Sequence, residues 1–199
     1  SHLAGITPFR ILDPQEDQSL IENSLHWWTR RGPGGWSGWC VPWASMIHAR
    51  CGQPEAAVYW LHSWQQVFTN PGRASLHDAN FPGVSTLAAS ADRETDIMQL
   101  DGRFGALSAV LEILVQDWND EIRILPALPQ NWRNVSFKGI SAPGGFFFSA
   151  WVLDGILTEV SVTSTYGNPL QLRIGKGPLQ KIQLAAGKTT KIQVPAQVF

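Results

Sequence analysis

The chain has 199 residues, with 15 Lys and Arg against 16 Asp and Glu and a hydrophobic share of 44%, the makeup of a globular protein of one or two domains. A formal net charge of −1 supplies no general basic field for nucleic acid or an anionic membrane, and no apolar run approaches bilayer length, so neither partner is expected. Two cysteines make no disulfide scaffold: if one helix joins them, Cys40 and Cys51 lie about 16 Å apart, too far to bridge, and read as free thiols.

In chain order, Leu20, Ile21, Leu25 and Trp28 recur at helical spacing between Asp17 and Arg31, and Gly32-Pro33-Gly34-Gly35 stops that helix. A second helix is predicted from about Trp39 to Arg50, with Trp39, Cys40, Trp43, Met46 and Ile47 on one face and Pro42 either in its first turn or kinking it. The third starts at Pro54 and carries Ala57, Trp60, Leu61, Trp64, Val67 and Phe68 on one stripe, closing at Asn70-Pro71-Gly72. Residues 71 to 100 form a long polar connection of the kind that is usually functional or disordered. A fourth helix is expected after Asp101-Gly102, with Phe104, Leu107, Val110, Leu111 and Leu114 as its apolar face, ending at Asp117-Trp118-Asn119-Asp120.

From Glu121 the period becomes two, through Ile122 and Ile124, Val135 and Phe137, Phe146 and Phe148, Val160 and Val162, Leu170 to Ile174, Ile182 and Leu184, and Ile192 and Val194. Asp154-Gly155 between two apolar triplets predicts a tight hairpin. The expected class is α+β: helices over residues 1–118, then an antiparallel β-sandwich over 119–199. Ten tryptophans are far above ordinary usage; such rings stack on sugars when exposed in a groove and fill cores otherwise.

Ser1-His2-Leu3-Ala4-Gly5, Gly35-Trp36-Ser37-Gly38-Trp39, Ile97-Met98-Gln99-Leu100-Asp101-Gly102-Arg103-Phe104-Gly105 and Glu121-Ile122-Arg123-Ile124-Leu125-Pro126-Ala127-Leu128-Pro129 occur in this order, with Gly139 and Gly144-Gly145-Phe146 beyond. In these blocks the chain resembles glycoside hydrolase family 95, inverting α-L-fucosidases and α-L-galactosidases, over essentially its whole length. The resemblance implies that residues 1–118 are the closing helices of an (α/α)6 catalytic barrel and 119–199 the family's C-terminal β domain. It also implies a glycan substrate, no cofactor and an extracellular or periplasmic setting. The start at Ser1-His2-Leu3, without Met or signal peptide, reads as a cut from something longer, so the remainder of a parent chain is an expected partner.

An inverting glycosidase needs a carboxylic acid to protonate the leaving oxygen and a carboxylate base to activate water on the opposite face. On position alone Asp101 is either a helix cap or that base, kept ionised by the helix dipole; the resemblance implies the base, and places the proton donor and the assisting asparagines before this chain. Asp78, Glu94, Asp96 and Glu112 are alternative acids that read as ordinary solvated charges. Where the family usually has Asn after Asp-Gly this chain has Arg103, which would lower the Asp101 pKa or point outward, and Phe81 to Glu94 resembles an insertion. Trp36 and Trp39 could line a sugar pocket or pack the core, while His2 and His77 could bond sugar hydroxyls or lie on the surface. His26, His48 and His62 have no metal-ligand spacing, so no metal is expected. Two other functions stay open: a non-catalytic carbohydrate-binding or structural unit, and a glycoside phosphorylase of the same architecture.

Overall fold

The computed structural model describes residues 2–14, 16–81, 85, 97–118 and 120–194. Its helices are α1 (Gln18–Arg31), α2 (Cys40–Arg50), α3 (Pro54–Val67) and α4 (Leu100–Leu114), preceded by a 3₁₀ turn at His2–Gly5. Eight strands follow: β1 (Val115–Trp118), β2 (Glu121–Ile124), β3 (Val135–Ala142), β4 (Phe146–Leu153), β5 (Ile156–Ser164), β6 (Leu170–Ile174), β7 (Gln180–Ile182) and β8 (Lys188–Ile192). The class is α+β, as expected. Backbone contacts divide the chain into two compact units, Ser1–Glu112 and Ile113–Phe199. No helix among the described residues is long and apolar enough to cross a membrane.

In the helical unit the punctuation residues act locally. Gly32 takes a left-handed φ of 65° and ends α1, Pro54 opens α3, and Pro42 falls in the first turn of α2, where its missing N–H leaves no broken bond. α2 is buried on nearly every side and packs on α3, with Ser45 Oγ donating to the Ala57 carbonyl at 2.7 Å. One cluster gathers Leu3, Ile6, Ile21, Leu25 and Ile47 with Trp28 and Trp43 against it. A second gathers Val41, Val67, Phe68 and Ala79 with Trp36, Trp60 and Trp64. Cys40 and Cys51 are both free thiols, and burial pushes Cys51 up to about 11.

Two expectations for the fourth helix are corrected. It begins at Leu100, before the Asp-Gly pair, and it ends at Leu114, where Val115–Trp118 turns to an alternating strand paired antiparallel with Glu121–Ile124. Its buried face is not the large-residue stripe: Phe104, Leu107 and Leu111 are exposed, whereas Gly102, Gly105, Ala106, Ala109 and Ile113 are buried. Both faces of α4 are apolar, so spacing alone could not rank them.

The second unit holds two four-stranded sheets, ordered β1-β2-β6-β7 and β3-β4-β5-β8. Alternation explains each: Phe146, Phe148, Ala150 and Val152 of β4 are buried while the intervening residues are half-buried or exposed. The predicted sandwich stands with one difference, that β2 and β6 run parallel, setting Ile122 beside Leu172 and Ile124 beside Ile174. The long chain between β2 and β6, which forms three of the other sheet's four strands, makes that parallel pairing possible. At the β4–β5 hairpin Asp154 and Gly155 have φ of 52° and 79°, both positive as the mirror-image turn needs.

Candidate functional site

Three loops meet ahead of α4. Segment 75–77 runs antiparallel to 97–99: the Gln99 N–H donates to the Ser75 carbonyl at 2.9 Å, the His77 N–H donates to the Ile97 carbonyl at 2.8 Å, and Leu76 bridges Met98. The Ser75 hydroxyl closes the same corner by donating to the Gln99 carbonyl at 2.5 Å. From the other side the Gly38 N–H donates to the His77 carbonyl at 2.9 Å. Gly38 has no room for a side chain, since a Cβ there would lie 1.9 Å from the Leu76 carbonyl oxygen. Two residues past this ladder stands Asp101.

Asp101 lies in the first turn of α4, exposed, with its Oδ1 accepting the Gly102 N–H at 3.0 Å. It is therefore the second residue of the helix and not its cap. The Gly102 backbone lies beside the Gly35–Trp39 segment, where a Cβ would sit in ordinary contact at 3.4 Å from the Gly38 carbonyl. Arg103 points elsewhere: its guanidinium donates to the Arg73 carbonyl at 3.2 Å.

The two tryptophans proposed for a sugar pocket are packed among other groups. Trp36 stacks on Trp28 at 4.6 Å between ring centres and leans on Trp60 at 5.0 Å, while its carbonyl accepts from Ser85 Oγ. Trp39 lies over Gly105, where a Cβ would come within 2.7 Å of its ring. His2 sits near α1, its Nε2 3.5 Å from the Ser24 carbonyl. His77 belongs to the Asp101 ladder through its backbone, and its half-exposed ring has Nδ1 2.6 Å from Asp78 Oδ1. The structure thus knits His77, Trp39 and Asp101 into one region through backbone and glycine contacts.

The carboxylates taken as solvated charges include two that are not. Asp78 is buried against the His77 ring, and Glu112 is buried beside Arg50, whose Nη2 donates to Glu112 Oε1 at 2.9 Å. Glu94 and Asp96 lie outside the described residues. The sequence offered Gly38, Gln99, Gly102 and Gly105 only as members of the family blocks, with no role of their own. The glycines carried a signal in their Gly-x-x-Gly style repetition around Trp and Asp, but only the partner surfaces give it meaning. Among the described residues no group of three or more His, Cys, Asp or Glu is placed to hold a metal ion.

A helical unit with Asp101 open to solvent in a helix's first turn is followed by a β-sandwich. The family model described as the glycosyl hydrolase family 95 catalytic domain matches residues 1–114, and that described as the glycoside hydrolase family 95 C-terminal domain matches residues 116–198. The chain belongs to glycoside hydrolase family 95. Among similar proteins, "Alpha-L-fucosidase 2" of Arabidopsis thaliana is 30% identical over 166 residues, covering 82% of this chain and 19% of that protein. "Probable alpha-fucosidase A" of Aspergillus oryzae is 29% identical over 188 residues, covering 84% of this chain and 24% of that protein. The chain thus spans about a fifth to a quarter of the length of these relatives.

Proposed function

We propose that this chain carries the water-activating part of an inverting glycoside hydrolase that removes terminal α-L-fucosyl or α-L-galactosyl residues from glycans, with Asp101 as the base. The observation that supports it is the Asp101 carboxylate itself, open to solvent in the first turn of α4 and anchored by a three-segment backbone ladder. Asp101 takes a proton from water as the oxygen attacks the anomeric carbon from the face opposite the leaving group. The glycosidic bond breaks with its electrons passing to the leaving oxygen, which a separate carboxylic acid protonates.

That acid is proposed to come from outside these 199 residues. Glu112 is held by Arg50 and Asp78 by His77, which removes the described rivals from the role. The exposed Leu100, Phe104, Leu107 and Leu111 give the helix bearing Asp101 an apolar face of the kind that further protein covers.

The test is Asp101→Asn in the protein at its full natural length. Asn keeps an oxygen for the Gly102 N–H, so the melting temperature should hold, while turnover of an aryl α-L-fucoside should fall by about 10² or more. A normal melt with a rate within about threefold of the unmodified protein would end the assignment of Asp101 as base.

A further inference from the structure

We propose that the outer face of the β3-β4-β5-β8 sheet is a second glycan-binding site, built around Trp151 and suited to a neutral oligosaccharide. The site lies wholly within the Ile113–Phe199 unit. Along β4 the residues that point away from the buried side are Phe147, Ser149, Trp151 and Leu153, and Phe147 and Trp151 are 43% and 37% exposed. An apolar core does not account for them. Four residues apart on one strand, the two rings are about 13 Å from each other, the reach of a short oligosaccharide and not of a monosaccharide.

The surroundings of Trp151 are polar in the way a sugar needs. Register sets Ser136 of β3 on one side of it and Glu159 of β5 on the other. Between Trp151 and Val152 the β4–β5 pairing slips, so that Leu157 faces Val152 and Thr158 is left as the extra residue of a bulge. Bulges re-aim side chains and recur beside binding sites. The result is a groove of about 560 Å³ lined by Asn134, Ser136, Trp151, Thr158 and Glu159 among others.

Three polar groups in the groove retain hydrogen-bonding capacity after a protein contact is made. Asn134 Oδ1 accepts the Asp154 N–H, which orients the amide and leaves its NH₂ to donate. Thr158 donates to the Trp151 carbonyl, leaving its oxygen as an acceptor. Glu159 holds Lys191 through Oε2 at 2.8 Å, so the pair brings no net charge and Oε1 stays available. A pyranose offers a C–H face to the indole and hydroxyls to a rim of this kind. Charge balance favours a neutral glycan over an acidic one.

Isothermal titration of the full-length protein with cellohexaose and β-1,4-galactohexaose, and with hexagalacturonate as the acidic counterpart, tests the site. At least one neutral hexasaccharide should bind. Trp151→Ala should weaken that binding about tenfold, with the melting temperature unchanged. Ser136→Arg, on an exposed strand position, should fill the groove and do the same, which keeps the test decisive should Trp151→Ala unfold the sheet. Asp101→Asn should leave the binding as it was, so failure here and failure of the base assignment are separable. Absence of binding to either neutral probe at millimolar concentration, binding unaltered in both groove variants, or tighter binding of hexagalacturonate would overturn the proposal.

Discussion

Arg50 of α2 and Glu112 of α4 form an ion pair with a closest approach of 2.8 Å, the Arg50 side chain wholly shielded from solvent. Two charges out of water are tolerated only while they face each other, so the pair fixes how α4 sits on α2 more than it adds to stability. Glu112→Ala or Arg50→Ala, taking this partner from a buried charge, should therefore cost about 3–5 kcal/mol in urea unfolding. The joint change Arg50→Met with Glu112→Leu should recover most of that loss. Single variants costing under about 1 kcal/mol would show that water reaches the pair.

Glu121 supplies a pH dependence in the β unit. Its Oε1 accepts from Arg123 Nε at 2.6 Å and from Arg173 Nε at 2.8 Å, joining β2 to β6. Burial alone would raise its pKa, but the hydrogen bonds from Arg173 and Arg123, with their charges, hold it below the ordinary 4.5. A lowered folded-state pKa means the stabilisation is complete above the ordinary value and is lost as pH falls through the folded one. Glu121→Gln should thus cost on the order of 1 kcal/mol at neutral pH, and its melting curve should converge with that of the unmodified protein on acidification. A gap that stays constant or widens in acid would contradict this.

What the sequence made legible was what short stretches of chain decide. Asp154-Gly155 specified its own hairpin, Pro54 its own helix start, and the β4 alternation its own buried face. What it concealed were choices made by partners distant in sequence. α4 carries large apolar residues on one side and Gly, Ala and Ile on the other, and hydropathy favoured the larger side although the small side is where Trp39 and Gly38 approach. The brief strand Val115–Trp118 looked like a helix ending because its pairing with Glu121–Ile124 lies beyond any local window. Asp101 was visible as a carboxylate next to a helix start, but its place inside the first turn depends on Gln99 pairing with Ser75, a contact across 24 residues of sequence.

Trp39 and Gly105 offer a test in which one substitution changes sign with its background. In the native packing an alanine methyl at position 105 would come within 2.7 Å of the Trp39 ring and 3.2 Å of Pro42 Cβ, so Gly105→Ala should destabilise by about 1–3 kcal/mol through overpacking. Removing the ring in Trp39→Ala should cost about 3–5 kcal/mol, since the indole fills the space between α2 and α4. Once the ring is gone, the closest clash is removed and Pro42 Cβ at 3.2 Å remains, while Ala is the better helix former by about 1 kcal/mol. In the Trp39→Ala background Gly105→Ala should therefore be neutral or stabilising. A cycle of the four proteins by urea unfolding measures this coupling directly. If Trp39 instead serves only as a platform for sugar, Gly105→Ala should have the same effect with and without the ring, and Trp39→Ala should lose substrate affinity at an unchanged melting temperature.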